Sequence, residues 1–226
     1  ALDAEVANRN ESLSAQFEML KNRVFAIAES YGGPLCRGML DVVNAAARAR
    51  VGALIPVGAR VLDCAAGMGQ FSLAAAKQAG SVLCTDRSEA MLARARKKAA
   101  KRGLSNIGFA VRDITALSDP DGSFDAVIAG NVLHLLPEPE KAVRELWRVT
   151  AHGGRLILPT YLQGKAGAAY GAMIQIYQGV GFHYEHAFTP ETYREFLERL
   201  ELGPVAVEVI HGGVPEGIAV LEKPAL

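Results

Sequence analysis

From Glu11 to Tyr31, Leu13, Phe17, Leu20 and Val24 recur at steps of four, three and four, the spacing that lines one face of a helix, and Gly32, Gly33 and Pro34 stop it. A second, alanine-rich helix is predicted from Leu35 to Leu54, ending near Pro56 and Gly58. The pattern then changes to short β-rich runs: Arg60–Cys64, Ser81–Thr85, Ile107–Val111, Phe124–Gly130 and Arg155–Thr160. Their near-continuous hydrophobicity suits parallel strands covered on both faces. Helical connectors are predicted over Gln70–Ala79, Glu89–Lys101 and Glu138–Thr150, the last with Ala142, Val143, Leu146, Trp147 and Val149 on one side. Strand, helix, strand, repeated, implies right-handed crossovers and a doubly wound α/β sheet.

The end of the chain reads differently. Thr189 is placed to cap a helix running through Leu200, with Pro190 at its first position. Val205–Ile210 and Ile218–Glu222 alternate around His211, Gly212, Gly213 and Val214, which predicts an antiparallel hairpin. The expected architecture is therefore a Rossmann-like, seven-stranded sheet, mostly parallel, in one domain spanning residues 1–226.

Half of the 226 residues are apolar, enough for one sizeable core. Basic and acidic residues number 24 each, so no net field gathers phosphate backbones or anionic lipid, and nucleic acid is not the expected partner. Cys36, Cys64 and Cys84 are an odd, unclustered set, two of them in predicted strands, which argues for a reducing compartment and against a disulfide framework or zinc site. No long apolar window or secretion-type leader is visible, so no stable membrane insertion is expected and the predicted location is cytoplasmic. A monomer or homodimer is expected.

Candidate chemistry begins at VLDCAAGMGQFS, Val61 to Ser72. Ala65, Gly67 and Gly69 follow the first strand, where small residues let main-chain amides approach a ligand and a helix start offers its N–H groups. In an open parallel sheet, ligands bind outside the carboxyl ends of the strands. Asp86, just past the second strand, is placed to accept both hydroxyls of a ribose, and Asp113, just past the third, to accept from an exocyclic amine while Ile114 covers a flat ring. Three strand ends, each with an acid, outline an adenosine. The third glycine of a dinucleotide fingerprint is missing, and Asp63 at the loop mouth would repel a pyrophosphate but suits an ammonium-bearing ligand.

VLDCAAGMGQFS, CTDRSEAML, VRDIT, FDAVIAGNVLHLLPEPEKAVRELWRV and GGRLIL resemble, in order and spacing, the motifs of class I S-adenosylmethionine-dependent methyltransferases, particularly the small-molecule group that includes the quinone-biosynthesis enzymes. The resemblance covers about Val57 to Pro159. It implies that Asp63 faces the ammonium of the methionine end, Gly67 and Gly69 admit the cofactor backbone, Asp86 takes the ribose hydroxyls, Arg87 flanks the adenine, and Asp113 and Ile114 bind and cover it. Asn131 and Val132 would line the sulfonium end, and S-adenosylhomocysteine would be the product. Ala65 departs from the family's usual glycine, as do Thr150, Ala151 and His152 from its usual Leu-Lys-Pro.

Methyl transfer from a sulfonium is an in-line displacement, for which the protein supplies alignment, exclusion of water and, where needed, proton removal. His134 is the candidate general base or orienting group, on the expectation that it titrates near neutral pH; packing at a helix start is the other reading. The aromatic segment Tyr161–Phe188, with a helical stretch at Ala166–Gly179, reads either as an extra helix over the sheet edge or, over about 161–189, as a lid presenting Tyr177, His183 and Tyr184 to the acceptor. Tyr31 is the matching candidate from the N-terminal side, where residues 1–55 are expected to close over the cofactor. AGNVLH replaces the N-P-P-Y type signature of amino-group methylation on bases or glutamine, no acid cluster suggests a catechol-type magnesium site, and the cysteines do not resemble an arsenic-binding set. The expected reaction is metal-independent methylation of a small-molecule acceptor, foremost a quinone-like or phenolic ring, with a phospholipid-like amine second. A non-catalytic cofactor-binding protein and a nicotinamide-dependent oxidoreductase are the competing classes.

Overall fold

The computed structural model describes residues 45–163, 185–211 and 215–225. The predicted N-terminal helix with Tyr31, and the stretch holding Tyr177, His183 and Tyr184, lie outside the described residues. Helix α1 (45–54) leads into β1 (Arg60–Asp63), α2 (Gln70–Ala75), β2 (Ser81–Asp86), α3 (Glu89–Lys101), β3 (Ile107–Val111) and β4 (Phe124–Ile128). A short 3-10 turn (Leu133–Leu135), α4 (Pro139–Val149), β5 (Thr150–Tyr161), α5 (Pro190–Glu198), β6 (Val205–Ile210) and β7 (Glu216–Glu222) complete it.

The seven strands form one sheet in the order β3-β2-β1-β4-β5-β7-β6. Strands β1 to β5 pair in parallel, and β7 enters antiparallel between β5 and β6, as the hairpin pattern predicts. The chain order reverses between β1 and β4, so the crevice that an open α/β sheet offers to ligands lies above Asp63 and Ile128, which are register partners.

Alternation along the strands divides the core. Val127, Leu156, Leu158, Ala219 and Leu221 face a cluster completed by Ala142, Val143, Leu146 and Val149 of α4 and Tyr193, Phe196 and Leu197 of α5. Ala126, Ile128, Ile157 and Ile218 face the opposite cluster, with Ala47 and Val51 of α1 and Phe71 and Ala75 of α2. Burial on both faces explains why these strands read as continuous apolar runs. β3 and β6 are the exceptions, with none of their residues fully buried, because they stand at the two sheet edges.

Several boundaries shift for physical reasons. β1 stops at Asp63 and β4 at Ile128, where the backbone leaves the ladder to build the crevice. α2 ends at Ala75 instead of Ala79 and α5 at Glu198 instead of Leu200. Thr150 belongs to β5, since its hydroxyl donates back to Leu146 O (2.8 Å) while its backbone has turned extended. Thr189 caps α5 as expected, in a reciprocal capping box with Thr192. Tyr161, the first residue of the expected lid, is the last of β5, and Phe188 near its end is core, 5.2 Å from the Tyr193 ring and 5.4 Å from that of Phe196.

Gly130, between β4 and the crevice, has a steric role: a Cβ there would lie 2.1 Å from Cε2 of the buried Phe71 ring. Gly130→Ala is expected to destabilise the protein by about 1–3 kcal/mol in urea unfolding, as overpacked core positions do. Phe71→Leu in the same chain should recover part of that loss; a neutral Gly130→Ala single variant would contradict the account.

Candidate active site

The loop after β1 is built from three left-handed residues at alternate positions: Ala65 (φ 51), Gly67 (φ 55) and Gly69 (φ 72). That geometry explains the spacing of small residues, and Ala65 holds a conformation that costs an L-residue about 1–2 kcal/mol. Gly69 is also crowded, its absent Cβ 3.0 Å from that of Ala95, whereas the same position at Gly67 opens onto nothing within 4 Å. Gly67 therefore leaves room for a ligand to approach the main chain.

Asp86 fixes this loop. Its Oδ2 accepts from Gly67 N–H (2.8 Å), its Oδ1 from Ser88 N–H (2.9 Å), and it is almost fully buried. Asp113 accepts at Oδ1 from the Thr115 amide and hydroxyl (2.9 and 2.8 Å), and Arg87 lies 3.8 Å from its other oxygen. Desolvation pushes the Asp113 carboxyl up, but the Thr115 hydrogen bonds and Arg87 outweigh it and hold the group below its ordinary value. Ile114 is buried in the α4-side core and Val132 is nearly buried beside the 3-10 turn.

Asp63 has no solvent exposure. Ser72 Oγ donates to its Oδ2 (2.6 Å) while its Oδ1 has no hydrogen-bond partner. Desolvation pushes this carboxyl up to about 7, against the Ser72 hydrogen bonds, and the nearby Asp86 adds to the rise. Ser72 sits one turn into α2 and carried no sequence signal beyond its polarity on an apolar face.

Asn131 is a second left-handed residue without a glycine's freedom (φ 56), pinned by its N–H to Pro159 O at 2.8 Å. Its Nδ2 donates to Glu216 Oε1 (2.9 Å), and both Asn131 Oδ1 and Glu216 Oε2 are buried without a partner. Glu216 was missed by sequence reasoning because β7 was expected to begin at Ile218; extending the alternation of Ile218 and Val220 back by two places puts the carboxylate on the buried face.

His134 is 3% exposed and shares a 3.3 Å hydrogen bond with Thr160 Oγ1 through Nδ1. Desolvation pushes it down to about 4, so the expectation that it titrates near neutral pH is overturned: it is a neutral imidazole there. Its carbonyl accepts from the Glu185 and His186 amides (3.1 and 3.2 Å), and its ring lies 6.0 Å from that of Tyr161. Cys64 and Cys84 are fully buried and burial raises both thiols, Cys84 to about 12. Among the described residues, no group of three His, Cys, Asp or Glu side chains could hold a metal ion, and no helix is long and apolar enough to cross a membrane.

The site thus combines a glycine cradle with buried acceptor oxygens that lack donors, a pattern suited to a cationic ligand bearing hydroxyl and ammonium groups. The methyltransferase domain family matches residues 62–158. A demethylmenaquinone methyltransferase of Thermus thermophilus is 39% identical over 120 residues, 52% of this chain and 54% of that protein, so the chain spans about half that relative's length. A phosphatidylethanolamine N-methyltransferase of Cereibacter sphaeroides is 32% identical over 153 residues, 66% of this chain and 75% of that one. The chain belongs to the class I S-adenosylmethionine-dependent methyltransferases. The solved S-adenosylmethionine-dependent methyltransferase of Aquifex aeolicus shares the fold of this methyltransferase at a TM-score of 0.58, with 22% identity over 76% of this chain and 86% of that one.

S-adenosylmethionine is the cofactor of the family, and the chain's donor-poor oxygens fit it. The cofactor carries an ammonium, two ribose hydroxyls and a sulfonium charge, and Asp63 Oδ1 is an unpartnered buried oxygen at the mouth of the glycine loop.

Asp63 also makes the ligand-free protein pH-sensitive. Its folded value, about 7, lies above its unfolded value near 4, so between them the folded chain keeps a proton that the unfolded chain has lost. Stability falls as pH rises across that window and is level above it. Glu216, also raised to about 7, acts in the same sense, while neutral His134 acts in the opposite one, losing stability as pH falls from about 6.5 to 4. Asp63→Asn should therefore raise the melting temperature of the ligand-free protein at about pH 8 and flatten its decline between about pH 4 and 7. Thermal melts of both proteins across pH check this; a variant that melts below the wild-type protein at about pH 8 would contradict it.

Proposed function

We propose that this methyltransferase moves the methyl group of S-adenosylmethionine to a small acceptor bearing a quinone-like or phenolic ring, at an oxygen or carbon centre and without a metal. The observation that carries the acceptor class is the 39% identity to a demethylmenaquinone methyltransferase. An aromatic pair at the carboxyl end of β5 supports it, with the Tyr161 ring 6.0 Å from that of buried His134.

In this reading Asp63 takes the ammonium of the cofactor and Gly67 and Gly69 admit its backbone. The Asp86 carboxylate, already oriented by two amides, takes the ribose hydroxyls at its remaining lone pairs. Arg87 flanks the adenine, Asp113 accepts from its amine and Ile114 closes one side, while Asn131 and Val132 line the sulfonium end. The bound cofactor supplies an electrophilic methyl carbon and a good thioether leaving group. The protein's share is alignment and dryness. His134, neutral and held by Thr160, serves as an orienting wall for the acceptor, its basicity lowered by burial.

A phospholipid-like amine is the second reading, favoured by one observation: the phosphatidylethanolamine relative aligns over more of both chains. Methyl-labelled S-adenosylmethionine offered with 1,4-dihydroxynaphthalene and with phosphatidylethanolamine micelles separates them. Label is expected in the ring compound; label in the lipid alone would overturn the ring reading in favour of the amine. Asp86→Ala should weaken S-adenosylmethionine binding at least about tenfold by calorimetry, since hydrogen bonds to a charged partner are worth about 1.5–3 kcal/mol each. Wild-type affinity in that variant would remove Asp86 from the ribose site.

A further inference from the structure

Glu216 is a completely buried carboxylate with only half of its hydrogen bonding met. It opens β7, with Tyr161 of β5 and Ile210 of β6 as its register partners. Two places along, Ile218 belongs to the core on the α1 and α2 side, so the carboxylate points to that side too. Its Oε1 takes a hydrogen of the Asn131 amide, and this decides which way the amide is turned: the nitrogen faces Glu216 and the oxygen is left without a donor. Asn131 cannot readily swing away, because its backbone is left-handed and tied to Pro159.

Among the described residues no salt bridge to Glu216 is formed. Arg48 of α1 favours the ionised carboxylate from a distance, but its guanidinium donates to Gln70 Oε1 at 2.6 Å. A buried anion and a buried amide oxygen, both with spare acceptor capacity, therefore sit beside the sheet's switch point. When the carboxyl is ionised, neither Glu216 Oε2 nor Asn131 Oδ1 has a donor among the described residues, which leaves a place for a positive charge or a donor brought by a ligand.

We propose that Glu216 sets the preference of this methyltransferase for its sulfonium donor over its thioether product, by orienting the Asn131 amide and by placing a negative charge in the dry end of the crevice. The inference rests on the cofactor reading, with Asn131 at the sulfonium end. S-adenosylmethionine and S-adenosylhomocysteine share adenine, ribose and amino-acid groups and differ by a methyl and its positive charge. Contacts to the shared parts cancel in the ratio of their affinities, and an interaction with the sulfonium charge does not. In a low-dielectric site that interaction is weakly screened. Loss of the charge on methyl transfer then removes the attraction and favours release of the product.

Calorimetric titration of the full chain and of Glu216→Gln with each of the two ligands tests this. The variant should bind S-adenosylmethionine about tenfold more weakly, as expected for one lost charged contact, and S-adenosylhomocysteine within about twofold of wild type. Equal weakening of both ligands, the mark of a purely structural role, overturns the proposal, and so does unchanged binding of both. Should Glu216→Gln fail to fold, the wild-type protein supplies the same measurement. Burial raises Glu216 to about 7, against the Asn131 hydrogen bond and the pull of Arg48 from α1; Asp63, raised to a similar value, meets in the cofactor reading the ammonium that both ligands share, so its titration cancels from their ratio. The preference for the donor over the product should then grow about threefold or more from pH 6 to 7.5. A flat ratio overturns the proposal. If the wild-type protein binds neither ligand, the cofactor reading itself falls, and the inference with it.

Discussion

Asp86 accepts from the Gly67 and Ser88 amides through its side chain, while its own carbonyl accepts from Arg112 N–H at 3.2 Å. One residue at the end of β2 thereby fixes the glycine loop after β1, the first turn of α3 and the exit of β3. Backbone amides donating to a buried carboxylate are among the stronger hydrogen bonds a protein can form, and each here also sets the position of a neighbouring chain segment. Asp113, Arg87 and the three left-handed residues of the loop take their places relative to that anchor. The glycine loop is held in shape by these bonds within the chain itself, which lowers the ordering cost of binding at that loop.

Around this anchor the interior holds groups that a core would ordinarily exclude. Asp63 and Glu216 are carboxyls raised by burial, and His134 is an imidazole kept neutral by the same cause. All three cluster near the carboxyl ends of β1, β4 and β5 or their neighbours. The rest of the sheet is packed with aliphatic residues on both faces. Stability is thus supplied by the lower sheet and its helices, while the upper rim carries buried oxygens of Asp63, Asn131 and Glu216 that have no hydrogen-bond partner.

Much of this was legible in the sequence because it is local. Short, near-continuous apolar runs marked β1 to β5, alternation marked the β6–β7 hairpin, Thr189 and Pro190 marked the start of α5, and alternate small residues at Ala65, Gly67 and Gly69 marked a turn whose left-handed angles favour them. What escaped depends on partners far along the chain. Glu216 pairs with Asn131 across 85 residues, and nothing near Glu216 announces that partner. Ser72 reads as one more polar helix residue until the fold brings it 2.6 Å from Asp63. His134 was misjudged for the same reason: a neutral-pH titration is the default for an exposed imidazole, and its burial is set by Thr160, Tyr161 and the segment carrying Glu185 and His186.

The contact between Gly130 and Phe71 also bears on how this sequence can change over time. The edge of the Phe71 ring occupies the volume that any side chain at position 130 would need. Residue 130 adjoins Asn131 at the crevice, and residue 71 lies in the first turn of the helix that follows the glycine loop. Position 130 is held by position 71: a larger residue at 130 is tolerated best in a lineage that has already traded the aromatic at 71 for something smaller. Two positions nearly sixty residues apart therefore behave as one evolutionary unit, and the order of the two substitutions is fixed by which of them leaves a cavity and which a collision.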